Sequence, residues 1–229
     1  MVSTAPKILV KICGITNAPD ARAAVDAGAN LLGFNFYPKS PRFVARADAA
    51  KIRTQLPRQV EPVGLFVNAT PEDILAMYSV VRFTMAQLHG DEPATVVAEL
   101  ARVLRVIKAF RAGADFAAGM LDEYGGASAF LLDAAALPAS AGQYGGTGRR
   151  ADWDVARQAA TRHRIILAGG LKVENVAEAI RSVRPDGVDV ASGVETKPGR
   201  KDHGLLREFI AEVRRAEKQM NTQEMSAKP

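Results

Sequence analysis

Lys11-Ile12-Cys13-Gly14-Ile15-Thr16 closes the first apolar run of the chain, which begins at Ile8. The run ends on the chain's single cysteine, and Gly14 follows at once. An apolar strand, a Gly turn and then an Ala-rich helical pattern make one βα unit, with the thiol at the strand's C-terminal end. The fold is decided by whether that unit repeats.

It does. Apolar, β-branched runs recur at Ile8–Cys13, Leu31–Phe36, Pro62–Val67, Thr84–Leu88, Leu104–Phe110, Ala129–Asp133, Ile165–Ala168 and Gly187–Ala191. Several are too continuous to be half-exposed, which suits parallel strands covered by helices. Helical patterns lie between them, at Asp20–Ala27, Asp48–Leu56, Thr70 onward, Asp91 to about Arg102, Asp115–Tyr124, Asp152–Arg162, Val173–Val183 and Asp202 to about Lys218. Thr70-Pro71-Glu72-Asp73 reads as an N-cap, a first-turn proline and first-turn acids. Eight alternating units predict an α/β fold, an eight-stranded parallel (β/α)8 TIM barrel in a single domain. The competing open doubly wound sheet would carry a dinucleotide fingerprint in the first βα turn, and Cys13-Gly14-Ile15-Thr16 is not one. Residues 1–7 read as an N-terminal extension, 8–218 as the catalytic barrel, and 219–229 as a flexible polar tail.

The totals narrow the function. The chain has 229 residues, a 48% hydrophobic share and a net charge of +5. Basic residues are dispersed and aromatics scarce, so a nucleic-acid surface is not expected. No apolar run approaches the roughly 20 residues of a membrane span, so no membrane partner is expected. A lone cysteine cannot form an internal disulfide, which fits a cytoplasmic location. No His/Cys/Asp grouping has metal-ligand spacing, so neither a metal nor a cofactor is expected.

In such barrels the C-terminal strand ends form the active face. There the chain places Cys13, Arg42, His89, Asp133, Gly169-Gly170 and Ser192-Gly193. Glycines after strands seven and eight let backbone N–H groups approach an anion, and a helix N-terminus adds positive potential. They can equally be turn glycines. Lys11 shares Cys13's side of the strand. It either lowers the thiol pKa or pairs with a barrel carboxylate such as Asp189. No helix starts straight after Asp133, so capping does not explain it. Walled by apolar groups, its carboxyl would stay protonated and act as a general acid. Cys13 as base and Asp133 as acid make a proton-transfer pair suited to isomerising a phosphorylated sugar. Arg42 is either a surface residue or a planar fork for a carboxylate. His89 is either a hydrogen-bonding group at the rim or a structural histidine.

Lys11–Thr16, Gly33-Phe34-Asn35-Phe36 with Ser40-Pro41-Arg42, Gln87–Gly90, Gly145–Gly148, Leu167–Leu171 and Ser192–Glu195 with Lys201-Asp202, in this order, resemble phosphoribosylanthranilate isomerase. The resemblance runs from about Ile8 to Phe209. It implies an Amadori rearrangement of a phosphorylated aminosugar in tryptophan biosynthesis, by a monomer or homodimer. It also implies Cys13 as general base, Asp133 as general acid, Arg42 on the anthranilate carboxylate, and Gly169, Gly170, Ser192 and Gly193 at the phosphate. Gly146 belongs to a glycine loop expected to close over the substrate. Ala191 stands where the family often has a second Ser, and Arg150-Ala151-Asp152-Trp153 departs from the usual Phe-Asp-Trp. Two other functions remain open: the related aminoaldose isomerase of histidine biosynthesis, and a non-catalytic phosphosugar-binding barrel. Paired aspartates and fused halves would mark the former, and this chain shows neither.

Overall fold

A computed structural model describes residues 8–113, 116–134 and 153–226. The chain runs β1 (Leu9–Cys13), α1 (Ala18–Ala27), β2 (Leu31–Asn35), α2 (Arg46–Arg53), β3 (Glu61–Phe66), α3 (Pro71–Val81), β4 (Met85–Leu88), α4 (Ala94–Leu100) and β5 (Arg105–Ala112). A 3-10 helix (Ala118–Tyr124), β6 (Ala129–Ala134), α5 (Trp153–Ala160), β7 (Ile165–Leu167), α6 (Val173–Val183) and β8 (Gly187–Val190) follow. The chain then makes a 3-10 turn (Ser192–Val194), a hairpin of β9 (Glu195–Lys197) and β10 (Arg200–Lys201), and α7 (His203–Ser226). Strands β1 to β8 pair in order and β8 closes on β1, every pair parallel.

Register decides what faces inward. Lys11 pairs with Leu31 and Asp189, Cys13 with Gly33, Leu65 with Gln87, and Leu131 with Ile166. Alternation along each strand then sends these side chains into one shared interior. Its lower layers are apolar, built from Leu31, Val63, Met85, Ile107, Leu131 and Ile166. Toward the C-terminal ends the inward positions become Lys11, Cys13, Gln87, Asp133 and Asp189, all buried. The opposite parity, including Val10, Ile12, Leu32, Phe34, Leu88, Leu132 and Leu167, packs under the helices.

Local signals set the helix starts. Asn17 accepts a hydrogen bond from the Asp20 N–H at 2.9 Å, and Thr70 from that of Asp73 at 3.2 Å. Each leaves one fewer orphan donor in a first turn.

Several expectations change, among them the start of the fourth helix, which falls at Ala94 behind Pro93 and not at Asp91. The fifth unit has a 3-10 helix where an α-helix was expected from Asp115. Gly119 lies inside it and Leu121 is its only buried residue, so little apolar surface holds a full α-helix there. Asp115 itself lies outside the described residues, as do residues 1–7. The second helix starts at Arg46 and ends at Arg53, two to three residues earlier than the pattern implied. The last helix does not stop near Lys218 but continues to Ser226. Met220 packs against the core, and neither Gly nor Pro interrupts the chain before Pro229. Among the described residues, no helix is long and apolar enough to cross a membrane.

Candidate active site

A cavity of about 310 Å³ opens at the C-terminal strand ends. Its walls include Cys13, Arg42, His89, Asp133, Gly169, Gly170, Asp189 and Ser192. Every candidate from the sequence is therefore in one place except two. Gly146 lies outside the described residues, as does the rest of Gly145–Gly148. Gly193 is not in the wall; it packs against the preceding loop, where an added Cβ would sit 2.0 Å from the Leu171 carbonyl oxygen. Gly193 thus closes loop eight onto loop seven, while Ser192 presents the surface.

On the β1 side, Lys11 Nζ donates to Asp189 Oδ1 at 2.9 Å. Both readings of Lys11 hold together, because the ammonium that pairs with Asp189 also draws the Cys13 pKa down. Gly33 makes room for this: a Cβ there would lie 2.9 Å from Cys13 Sγ and 3.2 Å from Lys11 Nζ. The net direction at the thiol differs from expectation. Burial raises the Cys13 pKa; Lys11 lowers it, Asp189 raises it and Lys201 lowers it, and burial prevails. Lys11 is itself held above the ordinary lysine range, since Asp189 and the thiolate together outweigh its burial.

Asp133 ends the inward face of β6, and its carboxyl meets a histidine on the way out of β4. His89 Nε2 lies 3.4 Å from Asp133 Oδ2. The Gln87 amide nitrogen is 2.7 Å from His89 Nδ1. With the amide donating, neutral His89 carries its proton on Nε2, toward Asp133. The wall around Asp133 is therefore less apolar than the sequence suggested. Sequence reasoning passed over Gln87. Its signal was available: it is a polar residue at an inward position, two after Met85 and two before His89. Its Oε1 is buried without a hydrogen-bond partner among the described residues, and Gln87 lines the cavity.

Loop four, which carries His89, is fixed from beneath. Lys108 Nζ donates to Glu92 Oε2 at 2.7 Å and to the Gly90 carbonyl at 2.7 Å. Glu92 Oε1 accepts from the Asn68 N–H at 2.8 Å. The pair is almost wholly buried, so each charge depends on the other.

Loops seven and eight form another wall of the cavity. Gly169 and Gly170 both take positive φ, 84° and 64°, which turns the chain sharply ahead of α6. Asn175 holds that turn, donating to the Gly170 carbonyl and accepting from the Lys172 N–H, each at 2.9 Å. The turn of Gly169 and Gly170 lines the cavity just ahead of the α6 N-terminus, the end of a helix that carries positive potential.

Arg42 reaches the cavity from the loop after β2, in a state the sequence did not reveal. Its guanidinium is already paired with Glu195, with Nε 3.0 Å from Oε1 and Nη2 2.8 Å from Oε2. Lys201 shares that carboxylate at 2.9 Å. Glu195 and Lys201 were visible as a motif, but separation in sequence hid the contact of Glu195 with Arg42.

The family model described as N-(5'phosphoribosyl)anthranilate (PRA) isomerase matches residues 10–212. An N-(5'-phosphoribosyl)anthranilate isomerase from Trichlorobacter lovleyi is 49% identical over 210 residues, covering 91% of this chain and 99% of that protein. A crystal structure of mutually generated monomers of the dimeric phosphoribosylanthranilate isomerase from Thermotoga maritima superposes with a TM-score of 0.79 at 40% identity, covering 90% of this chain and 98% of that one. A phosphoribosylanthranilate isomerase in complex with reduced 1-(o-carboxyphenylamino)-1-deoxyribulose 5-phosphate superposes at 0.78 with 39% identity, covering 90% and 98%.

Proposed function

The chain belongs to the N-(5'-phosphoribosyl)anthranilate isomerase family, which carries out the Amadori rearrangement of N-(5-phosphoribosyl)anthranilate to 1-(2-carboxyphenylamino)-1-deoxyribulose 5-phosphate in tryptophan biosynthesis, and from that premise we propose that Cys13 and Asp133 move its protons. Asp133 gives a proton to the ribose ring oxygen. The C1–O bond breaks as the amine nitrogen donates its lone pair, leaving an open-chain iminium. The Cys13 thiolate then removes the proton from C2, and the electron pair of that bond forms C1=C2 and neutralises the nitrogen. The enol becomes the ketone by gaining a proton at C1 and losing one from the C2 hydroxyl. C1 is reduced and C2 oxidised within one molecule, so no outside oxidant enters the balance.

Arg42 holds the anthranilate carboxylate as a planar donor fork. Gly169, Gly170 and Ser192 take the phosphate with the α6 N-terminus. Gln87 Oε1 accepts from a sugar hydroxyl, and His89 orients Asp133. Asp189 acts through Lys11. The observation that carries this reading is one cavity lined by a buried thiol, a buried carboxyl, an arginine and a glycine turn ahead of a helix. Its single cysteine suits a cytoplasmic setting. The dimeric Thermotoga relative makes a homodimer the assembly to look for by sedimentation. Loss of phosphoribosylanthranilate fluorescence on adding the protein tests the activity; a signal that stays constant would remove the reading.

A further inference from the structure

Glu195 opens β9 with its side chain only 3% exposed. Its carboxylate takes the side edge of the Arg42 guanidinium, Nε to both oxygens at 3.0 and 3.1 Å and Nη2 to Oε2 at 2.8 Å. A guanidinium has a second two-donor edge, Nη1 with the outer Nη2 hydrogen. Among the described residues nothing bonds Nη1, and Arg42 lines the cavity. The side edge is filled from within the protein, and the end edge remains for a ligand.

The stem of Arg42 is fixed as well. It crosses Gly14, where a Cβ would lie 2.6 Å from Arg42 Cδ. Glu195 is in turn held by Lys201, whose ammonium is fully buried and uses its three donors on Glu195 Oε1 at 2.9 Å, the Cys13 carbonyl at 2.6 Å and the Ala191 carbonyl at 3.1 Å. Those carbonyls end β1 and follow β8. The β9–β10 hairpin thus ties the arginine to the strand end that carries the thiol and to the loop that carries Ser192.

We propose that Glu195 is a positioning residue that points the free edge of Arg42 at the substrate's carboxylate, and so sets the enzyme's preference for a carboxylate-bearing aromatic amine. The inference rests on the reading of Arg42 as the carboxylate anchor. An arginine side chain has many rotamers, and a buried bidentate partner leaves it one. Without that partner the charge remains near the site but its geometry is lost. A role confined to neutralising Lys201 would weaken turnover of every substrate alike.

The test compares kcat/KM for N-(5-phosphoribosyl)anthranilate and for N-(5-phosphoribosyl)aniline, which lacks the carboxylate, in wild type, Glu195→Gln and Arg42→Gln. The ratio of the two constants does not depend on the fraction of folded enzyme. In Glu195→Gln the ratio is expected to fall by about tenfold or more, through KM for the carboxylated substrate, with Arg42→Gln falling at least as far. Glu195→Asp, which keeps the charge but withdraws it by one methylene, should also lower the ratio and stands in if the Gln variant does not fold. A wild-type ratio in both Glu195 variants, with the ratio lost in Arg42→Gln, overturns the inference and leaves the anchor standing. An unchanged ratio in Arg42→Gln removes the anchor, and the role of Glu195 with it.

Discussion

Lys11 Nζ stands 2.9 Å from Asp189 Oδ1 on the neighbouring strand, two residues below Cys13 on the same inward face. The ammonium and the carboxylate act on the thiol with opposite sign, Lys11 lowering its pKa and Asp189 raising it. Since burial already holds the thiol above the ordinary value of about 8.5, kcat/KM should still be rising with pH beyond that value. Lys11→Met is expected to move this limb upward and to lower kcat/KM at pH 7.5 by about tenfold or more. Asp189→Asn is expected to move it downward. Limbs that stay where the wild type has them would sever the pair from the base.

Gly33 is expected to be intolerant of one added methyl group. Its backbone φ is not in the left-handed region, so Gly33→Ala is not strained in itself. The new Cβ would instead meet the Cys13 sulfur at 2.9 Å, the Cys13 Cα at 3.1 Å and the Lys11 ammonium at 3.2 Å. Displacing a reacting group by about 1 Å can cost about a hundredfold in rate. The expected outcome is a loss of kcat on that scale in a variant that still folds, with some loss of thermal stability because the end of β1 must give as well. A variant that unfolds, or one with normal kcat, goes against this.

The Lys108–Glu92 pair lies outside the cavity wall and should show itself in stability. Lys108→Met leaves Glu92 buried without its countercharge, which typically costs about 3–5 kcal/mol. Urea denaturation reads that loss. His89 sits on the loop the pair secures, so kcat should fall as well. A variant with unchanged stability would mean that Glu92 is already satisfied by the Asn68 and Gly90 N–H groups alone.

Acid should act on the hairpin through Asp20. Burial pushes its carboxyl up, but the Lys201 N–H, His203 and Asn17 outweigh burial and the net pKa is lowered. A depressed carboxylate contributes stability that is full above the unfolded value of about 3.9 and is lost as pH falls through the folded value. The stability difference between wild type and Asp20→Asn should therefore be present at pH 6 and shrink in acid below about pH 4. A difference independent of pH would show that the hydrogen bonds hold the hairpin without the charge.

The barrel was legible because each strand repeats the same apolar signal and register then follows from closure. The mouth was legible where a residue's position along its strand is enough to place it in the cavity wall, as with Cys13 at the end of β1 and Asp133 at the end of β6. What stayed hidden depends on contacts between distant residues. Arg42 and Glu195 are far apart in the chain, and no local pattern joins them. Gln87 was within reach, since its parity along β4 is inward, but a four-residue strand gives parity little weight. The extension of α7 was missed because polar residues after Lys218 look like a tail until Met220 finds the core. The balance at Cys13 was missed for a different reason: a nearby cation is visible in sequence, whereas the depth of burial that outweighs it is not.

The proton-transfer pair is tested most directly by measuring turnover of phosphoribosylanthranilate in Cys13→Ser and Asp133→Asn, alongside their affinity for the reduced carboxyphenylamino-deoxyribulose phosphate. Both variants are expected to lose turnover by about a thousandfold or more while binding that compound within about tenfold of wild type, because binding rests mainly on other contacts. Turnover near the wild-type rate in either variant would contradict the assignment of Cys13 as base and Asp133 as acid.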